Sequence, residues 1–332
     1  MTTDSILATL VNKSISGQAI SHEEAILLAR LPRESLPDLF AAASTVREHY
    51  FNEQVSICSI VNAKSGRCPE DCAFCAQSTY HQTSAASYPL LDNATLVDAA
   101  GRASRNGAVC YGIVTSGTGI SDGDELERIC TAIRSICAEG MISPAASLGT
   151  LTRSAAEALK SAGLVTYHHN LETARSYFPQ ICSTHDYEDD LETIRIAKET
   201  GLRICCGGLF GIGESMEQRI ELAETLRELQ VDSVPINFLD PVPGTPLAEI
   251  NQLTPLLSLQ IISIFRLMLP DVHITICGGR QLNLRELQSF VFMAGASGIM
   301  TGNYLTKAGR HPEEDHQMIE DLGLLIAKEI MR

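Results

Sequence analysis

The sequence predicts an α/β protein built as a (β/α)8 barrel of the TIM type with an N-terminal helical extension. Two patterns carry that expectation. Eight short apolar runs, 55–61, 108–114, 142–148, 164–170, 202–209, 233–238, 273–277 and 298–301, alternate with amphipathic segments. Within those segments apolar residues recur at helical spacing, as with Leu126, Ile129, Ile133 and Ile136 in 125–137 and Ile220, Ala223, Leu226 and Leu229 in 217–229. Gly107, Gly140, Gly163 and Gly201 each stand where a helix should stop before a strand. Eight strands in such alternation imply a parallel sheet, most commonly a closed barrel. Periodicity alone leaves an open doubly wound sheet as the alternative.

Residues 1–54 read as the helical extension. Ser21 and Glu24 have capping-box spacing ahead of Ala25, Ile26, Leu27 and Leu28, and 36–50 is a second helical stretch; together they are expected to form a lid or collar. Residues 55–332 are the barrel, closed by a loop over 303–313 and a last helix to Met331.

Composition narrows the function. A net charge of −15 repels phosphate backbones and argues against nucleic acid as a partner. No run of 18 apolar residues suggests a membrane span, and the first ten residues lack a basic segment followed by an apolar one, so a cytoplasmic location is expected. The 11 cysteines are an odd number, which in a reducing compartment favours thiolate ligands and buried thiols over a disulfide framework.

Cys68-Pro-Glu-Asp-Cys72-Ala-Phe-Cys75 is the sharpest signal, a three-thiol loop directly after the first strand. Soft thiolates on one short loop can each hold one iron of a cuboidal cluster. Three ligands for four irons leave one iron open to a substrate or cofactor. The competing reading is a structural zinc knuckle, for which His81 is the near fourth ligand.

This spacing, with an aromatic before the third cysteine, resembles the radical S-adenosylmethionine superfamily. That resemblance implies a [4Fe–4S] cluster on Cys68, Cys72 and Cys75 whose open iron is chelated by S-adenosylmethionine, and a 5′-deoxyadenosyl radical that abstracts hydrogen from unactivated carbon. A narrower resemblance, to the biotin synthase family, runs from about Val55 to Leu324. It is carried by Cys75-Ala-Gln-Ser78, His169-Asn-Leu-Glu-Thr173, Gly207-Gly-Leu-Phe-Gly-Ile-Gly-Glu214, Ser233-Val-Pro-Ile-Asn237, Pro243-Gly-Thr-Pro246, Phe292-Met-Ala-Gly-Ala-Ser297 and Pro312-Glu-Glu-Asp315.

The family likeness implies sulfur insertion into dethiobiotin through two hydrogen abstractions, a flavodoxin or ferredoxin as reductant, and a homodimer. It implies that Asn170 and Glu172 hold the ribose of S-adenosylmethionine, Glu172 standing where the family has Asp. Asn237, Asn170 and His168 would meet the ureido ring of dethiobiotin, His168 replacing the family's Asn. Ser116 and Gly117 would offer backbone N–H groups to the methionine carboxylate, and His185 stands where the family has an Arg for that carboxylate.

The family's inner [2Fe–2S] cluster uses three Cys and one Arg. Cys110 and Cys205 match two of those positions, but Ala145 and Thr275 fill the other two. Cys58 on the first strand and Cys277 on the seventh offer replacements, because Thr275 and Cys277 share a strand face. Four thiolates, Cys58, Cys110, Cys205 and Cys277, suit an auxiliary four-iron cluster carrying an additional sulfide. The alternative is that Cys58 and Cys277 are core packing and sulfur insertion has been lost. Cys130 and Cys137 read as buried packing, Cys206 as facing away from Cys205, and Cys182 carries no assignment. Two other functions stay open: a different radical enzyme of the same barrel subgroup (hydrogenase-maturase-like or a mutase), and an iron–sulfur electron-transfer protein.

Overall fold

A computed structural model describes residues 3–330 except Ser121, Asn251 and Gln252. Its strands are β1 (Gln54–Lys64), β2 (Cys110–Thr115), β3 (Ser143–Ser147), β4 (Thr166–His168), β5 (Arg203–Cys205), β6 (Ser233–Phe238), β7 (His273–Ile276) and β8 (Gly298–Met300). Each pairs in parallel with the next, and β8 pairs with β1, so the sheet is a closed barrel. This decides between the two topologies that periodicity leaves open. After β5 the chain breaks at Cys206–Gly207 and resumes as Gly208–Phe210 on β6.

The connecting helices are amphipathic where the pattern placed them: α5 is Asp124–Glu139 and α8 is Met216–Glu228. Gly107, Gly140, Gly163 and Gly201 all have positive φ, the left-handed turn that ends a helix without a Cβ penalty. Cys130 is buried on α5 as expected, whereas Cys137 is exposed. It lies in the last turn, where a seven-residue step has drifted off the buried stripe.

The N-terminal helices α1 (Thr3–Ile15), α2 (His22–Ala29) and α3 (Leu36–Phe51) do not cover the barrel mouth. They pack on its outer wall against α8 and α9 (Pro255–Met268). Ser14 Oγ donates to Leu267 O at 2.9 Å, and Gln260 Nε2 to Leu28 O at 3.1 Å. Covered on both sides, α9 is apolar nearly all round and buried along most of its length, as a helix in the middle of a core must be. The Ser21–Glu24 capping box forms as the spacing predicts.

The last helix, Pro312–Asp321, stops well short of Met331, which lies outside the described residues. Gly323, at φ 69°, turns the chain, and Leu325–Ile326 returns to pair with the start of β1. That helix is fastened by a buried ion pair: Arg280 Nη2 donates to Asp315 Oδ2 at 2.5 Å, and Thr301 Oγ1 donates to the same oxygen at 2.9 Å. Removing one partner leaves the other charge buried. Asp315→Ala is therefore expected to cost about 3–5 kcal/mol in urea unfolding.

The barrel floor holds a titrating histidine. His273 is half-buried, its Nδ1 2.7 Å from Ser297 Oγ, and desolvation together with Arg266 and Arg203 holds its pKa down to about 3. Its unfolded pKa is higher, so below about pH 6.5 the unfolded chain takes up a proton that the fold excludes. Stability from this residue is intact above that pH and is lost as pH falls towards the folded value. Between pH 7 and pH 5 the loss is about 2 kcal/mol. His273→Gln is expected to flatten that slope in unfolding curves measured at the two pH values.

Candidate functional site

Every residue singled out for chemistry lies at or below the C-terminal mouth of the barrel, where strand ends of this architecture converge. The cysteine loop follows β1 and is fixed by its backbone. Cys68 N donates to Gln77 O at 3.0 Å, Cys75 N to Cys72 O at 2.9 Å, and Thr79 N to Cys68 O at 2.8 Å. Cys68 is buried, while Cys72 and Cys75 are partly open. Burial raises the Cys75 thiol, and a contact with Cys182 together with burial raises that of Cys72.

A lone zinc ion needs its thiolates about 3.8 Å apart, from Zn–S bonds of about 2.3 Å in a tetrahedron. Among the described residues, the ligand atoms that gather within 4.8 Å of one another belong to Glu70, Cys182 and His185; the loop thiols are spread more widely. His81 Nε2 is engaged by the Cys72 carbonyl at 3.0 Å. The donor set thus fits a cuboidal cluster, whose irons hold their thiolates well apart, and not the zinc knuckle.

The Glu70–Cys182–His185 group was not expected from the sequence. Cys182 Sγ lies 4.0 Å from Cys72 Sγ and 3.2 Å from His185 Nδ1, and the contact with Cys72 followed by that with His185 pushes its thiol down to about 4. His185 Nδ1 is 2.8 Å from Glu70 Oε2 and its Nε2 is 3.6 Å from Asp190 Oδ2. Asp190, then Cys182 and Glu70, raise its pKa to about 11, so the ring is a cation with both nitrogens committed. His185, expected to meet the methionine carboxylate, faces two carboxylates of the protein, Glu70 and Asp190. Cys182-Ser-Thr-His185 is a C-x2-H spacing, the one sequence signal that marked this group.

The turn after β2 has its own internal bonds. Ser116 N donates to Lys64 O at 3.0 Å and its hydroxyl to Gly66 O at 2.7 Å, so neither donor is left for a ligand. Gly117 keeps the positive φ, 139°, that the turn requires.

Asn170 and Glu172 lie just past β4, and Asn237 is on β6. Asn170 Oδ1 accepts from Gly207 N at 3.1 Å, and Asn237 Oδ1 from Gly278 N at 2.9 Å. These bonds orient both amides around the Gly207–Gly208 crossing, where a Cβ on Gly207 would sit 2.1 Å from Pro235 O. Their Nδ2 groups make only loose 3.4 Å contacts, to Glu172 Oε1 and Gly208 O. The asparagines therefore present N–H donors, rather than alternating donors and acceptors, to a ligand. Burial pushes the Glu172 carboxyl up to about 7.

Below this rim lie the inner thiols. Cys58 is level with Cys110 on β2 and with Met300 on β8. The Thr275–Gly298 and Ile276–Ile299 pairs bring Cys277 level with Met300, and so with Cys58. A contact with Cys277, then burial, raises the Cys58 thiol; burial and Cys58 push Cys110 up to about 12; burial, opposed by Ser233, and the charges of Cys58 and Cys110 raise Cys205. The four thiols therefore sense one another across β1, β2, β5 and the end of β7. Ala145, fully buried on β3, has no ligating atom. His168, level with Cys205, shares this interior, and burial lowers its pKa to about 4. Cys206 is buried in the outer core, away from Cys205.

Comparison with known proteins gives the family. The Radical SAM superfamily model matches residues 63–226, and the Biotin and Thiamin Synthesis associated domain matches 235–325. A biotin synthase of Trichlorobacter lovleyi is 69% identical over 330 residues, 99% of each chain. The chain belongs to the biotin synthase family. A second member, from Geobacter sulfurreducens, is 56% identical over 318 residues, 96% of this chain and 97% of the relative. Membership in the biotin synthase family makes the protein an enzyme, a radical S-adenosylmethionine sulfurtransferase. Among solved structures, methylornithine synthase superposes with a TM-score of 0.84 at 21% identity, covering 96% of this chain and 97% of that one. The hydrogenase maturase HydG gives 0.83 at 16%, covering 99% and 77%. At those identities the two superpositions speak to the barrel alone. No helix among the described residues is long and apolar enough to cross a membrane.

Proposed function

We propose that this protein converts dethiobiotin to biotin, drawing the sulfur from an all-cysteine auxiliary cluster held by Cys58, Cys110, Cys205 and Cys277. The observation that supports the reading is strand register, which puts Cys277, Cys58 and Cys110 at one level of the barrel, with Cys205 on β5. Their number favours a four-iron cluster with an extra sulfide over a [2Fe–2S] one. S-adenosylmethionine bound at the open iron supplies, on one-electron reduction, the radical that removes hydrogen from unactivated carbon.

The residues of the chain do the rest. Cys68, Cys72 and Cys75 hold the outer cluster. Glu172, beside Asn170, accepts ribose hydroxyls, and Gly117 allows close backbone approach to the methionine end. Asn170 and Asn237 offer amide N–H donors to the ureido carbonyl, and His168, uncharged and level with Cys205, adds no positive charge to the interior. The barrel wall keeps water from the radical. The electron donor is a flavodoxin or ferredoxin, and the working form is a cytoplasmic homodimer.

Anaerobic turnover with dethiobiotin, scored for biotin and 5′-deoxyadenosine, tests the activity, and Mössbauer spectra with iron and sulfide counts test the cluster. Biotin with a four-iron inner signal is the expected result. A [2Fe–2S] inner signal alone rejects the all-cysteine cluster.

A further inference from the structure

The cysteine loop meets a thiol from another part of the chain. Cys182 follows a short helical turn over Phe178–Gln180, in the segment after β4. Its backbone is fixed there: Ile181 N donates to Phe178 O at 2.9 Å, and Cys182 N to the same oxygen at 3.1 Å. The thiol is buried and stands 4.0 Å from Cys72 Sγ. The loop thiols Cys68, Cys72 and Cys75, by contrast, do not gather as a set within 4.8 Å.

The backbones on either side of the Cys72–Cys182 pair are stitched together. Ala73 N donates to Ile181 O at 2.8 Å, Ser183 N to Asp71 Oδ1 at 2.9 Å, and Asp71 N to Thr184 Oγ1 at 3.1 Å. Glu70 Oε2 adds another link, 2.8 Å from His185 Nδ1. A bond from the residue after one cysteine to the residue before the other flanks a non-hydrogen-bonded antiparallel pair, in which facing Cα atoms are about 4.5 Å apart. Disulfides join Cα atoms about 4.4–6.8 Å apart. Side-chain rotation is then enough to bring the two sulfurs from 4.0 Å to bonding distance.

With iron bound, Cys72 is occupied and Cys182 is idle. Once iron is lost, Cys72 is a partly open thiol beside a buried one. We propose that Cys72 and Cys182 are an oxidative modification site, forming a reversible disulfide when the outer cluster is lost and so keeping the loop reloadable. This rests on the reading of the loop as a cluster site. The oxidant is a peroxide. The Cys72 thiol takes one peroxide oxygen, becoming a sulfenic acid and releasing a first water. The Cys182 thiol then attacks that sulfur, forming the S–S bond and releasing a second water. The two thiols together give up two electrons, and one peroxide is reduced. A dithiol returns both cysteines by exchange and itself becomes the disulfide. Without its partner, a Cys72 sulfenic acid meets a second peroxide and becomes a sulfinic acid, which thiols do not reverse.

The test treats anaerobically purified holoenzyme, as wild type and C182S, with hydrogen peroxide and an iron chelator. Free thiols are alkylated before unfolding, and the digests are read by mass spectrometry. In wild type a peptide pair joined through Cys72 and Cys182 is expected to dominate and to vanish after dithiothreitol. Reduction followed by iron and sulfide should then restore most of the 5′-deoxyadenosine formation. Untreated C182S should form the nucleoside at close to the wild-type rate, which reports an intact barrel. After peroxide it should carry several-fold more sulfinic Cys72 and recover several-fold less activity. Cys72 joined to Cys68 or Cys75 in wild type, or Cys182 recovered alkylated, overturns the proposal. So does a C182S protein that recovers as fully as wild type. Should C182S fail to fold, the wild-type peptide map decides alone. Outer-cluster EPR intensity retained in Cys72→Ser refutes the reading of the loop instead, and the peptide map still supports or overturns the cross-link.

Discussion

Cys72→Ser is expected to abolish cleavage of S-adenosylmethionine and strip the outer cluster, while the inner iron remains. The loop leaves no slack for replacement. Cys68 and Cys75 are pinned by backbone bonds to Gln77 and Cys72, so neither thiol can shift to cover a missing ligand. Serine offers a hard oxygen whose proton is not released near neutral pH, where the site requires a soft thiolate. A loss of at least about 10³-fold in 5′-deoxyadenosine formation follows, equivalent to about 4 kcal/mol of barrier. One neighbour makes the experiment sharper. Cys182, 4.0 Å from Cys72, is the one thiol placed to stand in, so Cys72→Ser/Cys182→Ser removes whatever residue of activity the single variant retains. Cys182→Ser alone should keep the outer cluster, since three loop thiols remain. Wild-type cleavage in the Cys72→Ser/Cys182→Ser protein, followed by chromatography of the nucleoside, would refute the assignment of the loop.

What the sequence made legible, and what it did not, follows from the range of the forces involved. Strand and helix alternation is local, and all eight barrel strands lie where the apolar runs placed them. The shared level of Cys58, Cys110 and Cys277 was legible for a related reason, since parallel register fixes which residues stand level across the sheet. The final helix was misread because its acidic and apolar pattern continues beyond the point where Gly323 turns the chain. Lid and collar stayed alternatives because an amphipathic helix declares that it has a buried face but not which surface it covers; here that surface is α9 on the outer wall. The group around His185 was hidden for the opposite reason. Glu70 and His185 are 115 residues apart, and only the closure of the barrel brings the loop after β1 against the segment after β4. Likewise nothing in the turn after β2 announced that Ser116 spends its hydroxyl and its N–H on Gly66 and Lys64.

Cys277→Ser is expected to separate the two halves of the reaction. The inner thiols sit on strands below the mouth, whereas the loop thiols sit beyond the end of β1, so the two sets do not share a residue. Losing one inner ligand therefore leaves S-adenosylmethionine cleavage within a few-fold of wild type while removing the sulfur source, and 5′-deoxyadenosine should accumulate with no biotin. Cys277 is the most informative of the four because its thiol meets Cys58 and lies 3.6 Å from the Thr275 carbonyl. A serine there keeps a donor for that carbonyl, and the buried site is left with at most one unsatisfied polar atom, worth about 1–3 kcal/mol. The fold should survive that cost, and the retained nucleoside product reports that it has. Cys58→Ser should give the same uncoupled pattern from the opposite side of the contact, and the Cys58→Ser/Cys277→Ser protein should be no worse than either, because one missing ligand already empties the site. Biotin formed at the wild-type yield by Cys277→Ser, measured by mass spectrometry of anaerobic single-turnover mixtures, means that this thiol is packing and that sulfur comes from elsewhere. Biotin lost together with all nucleoside product means instead that Cys277 supports the barrel as a whole. Only the uncoupled outcome identifies it as a keeper of the sulfur.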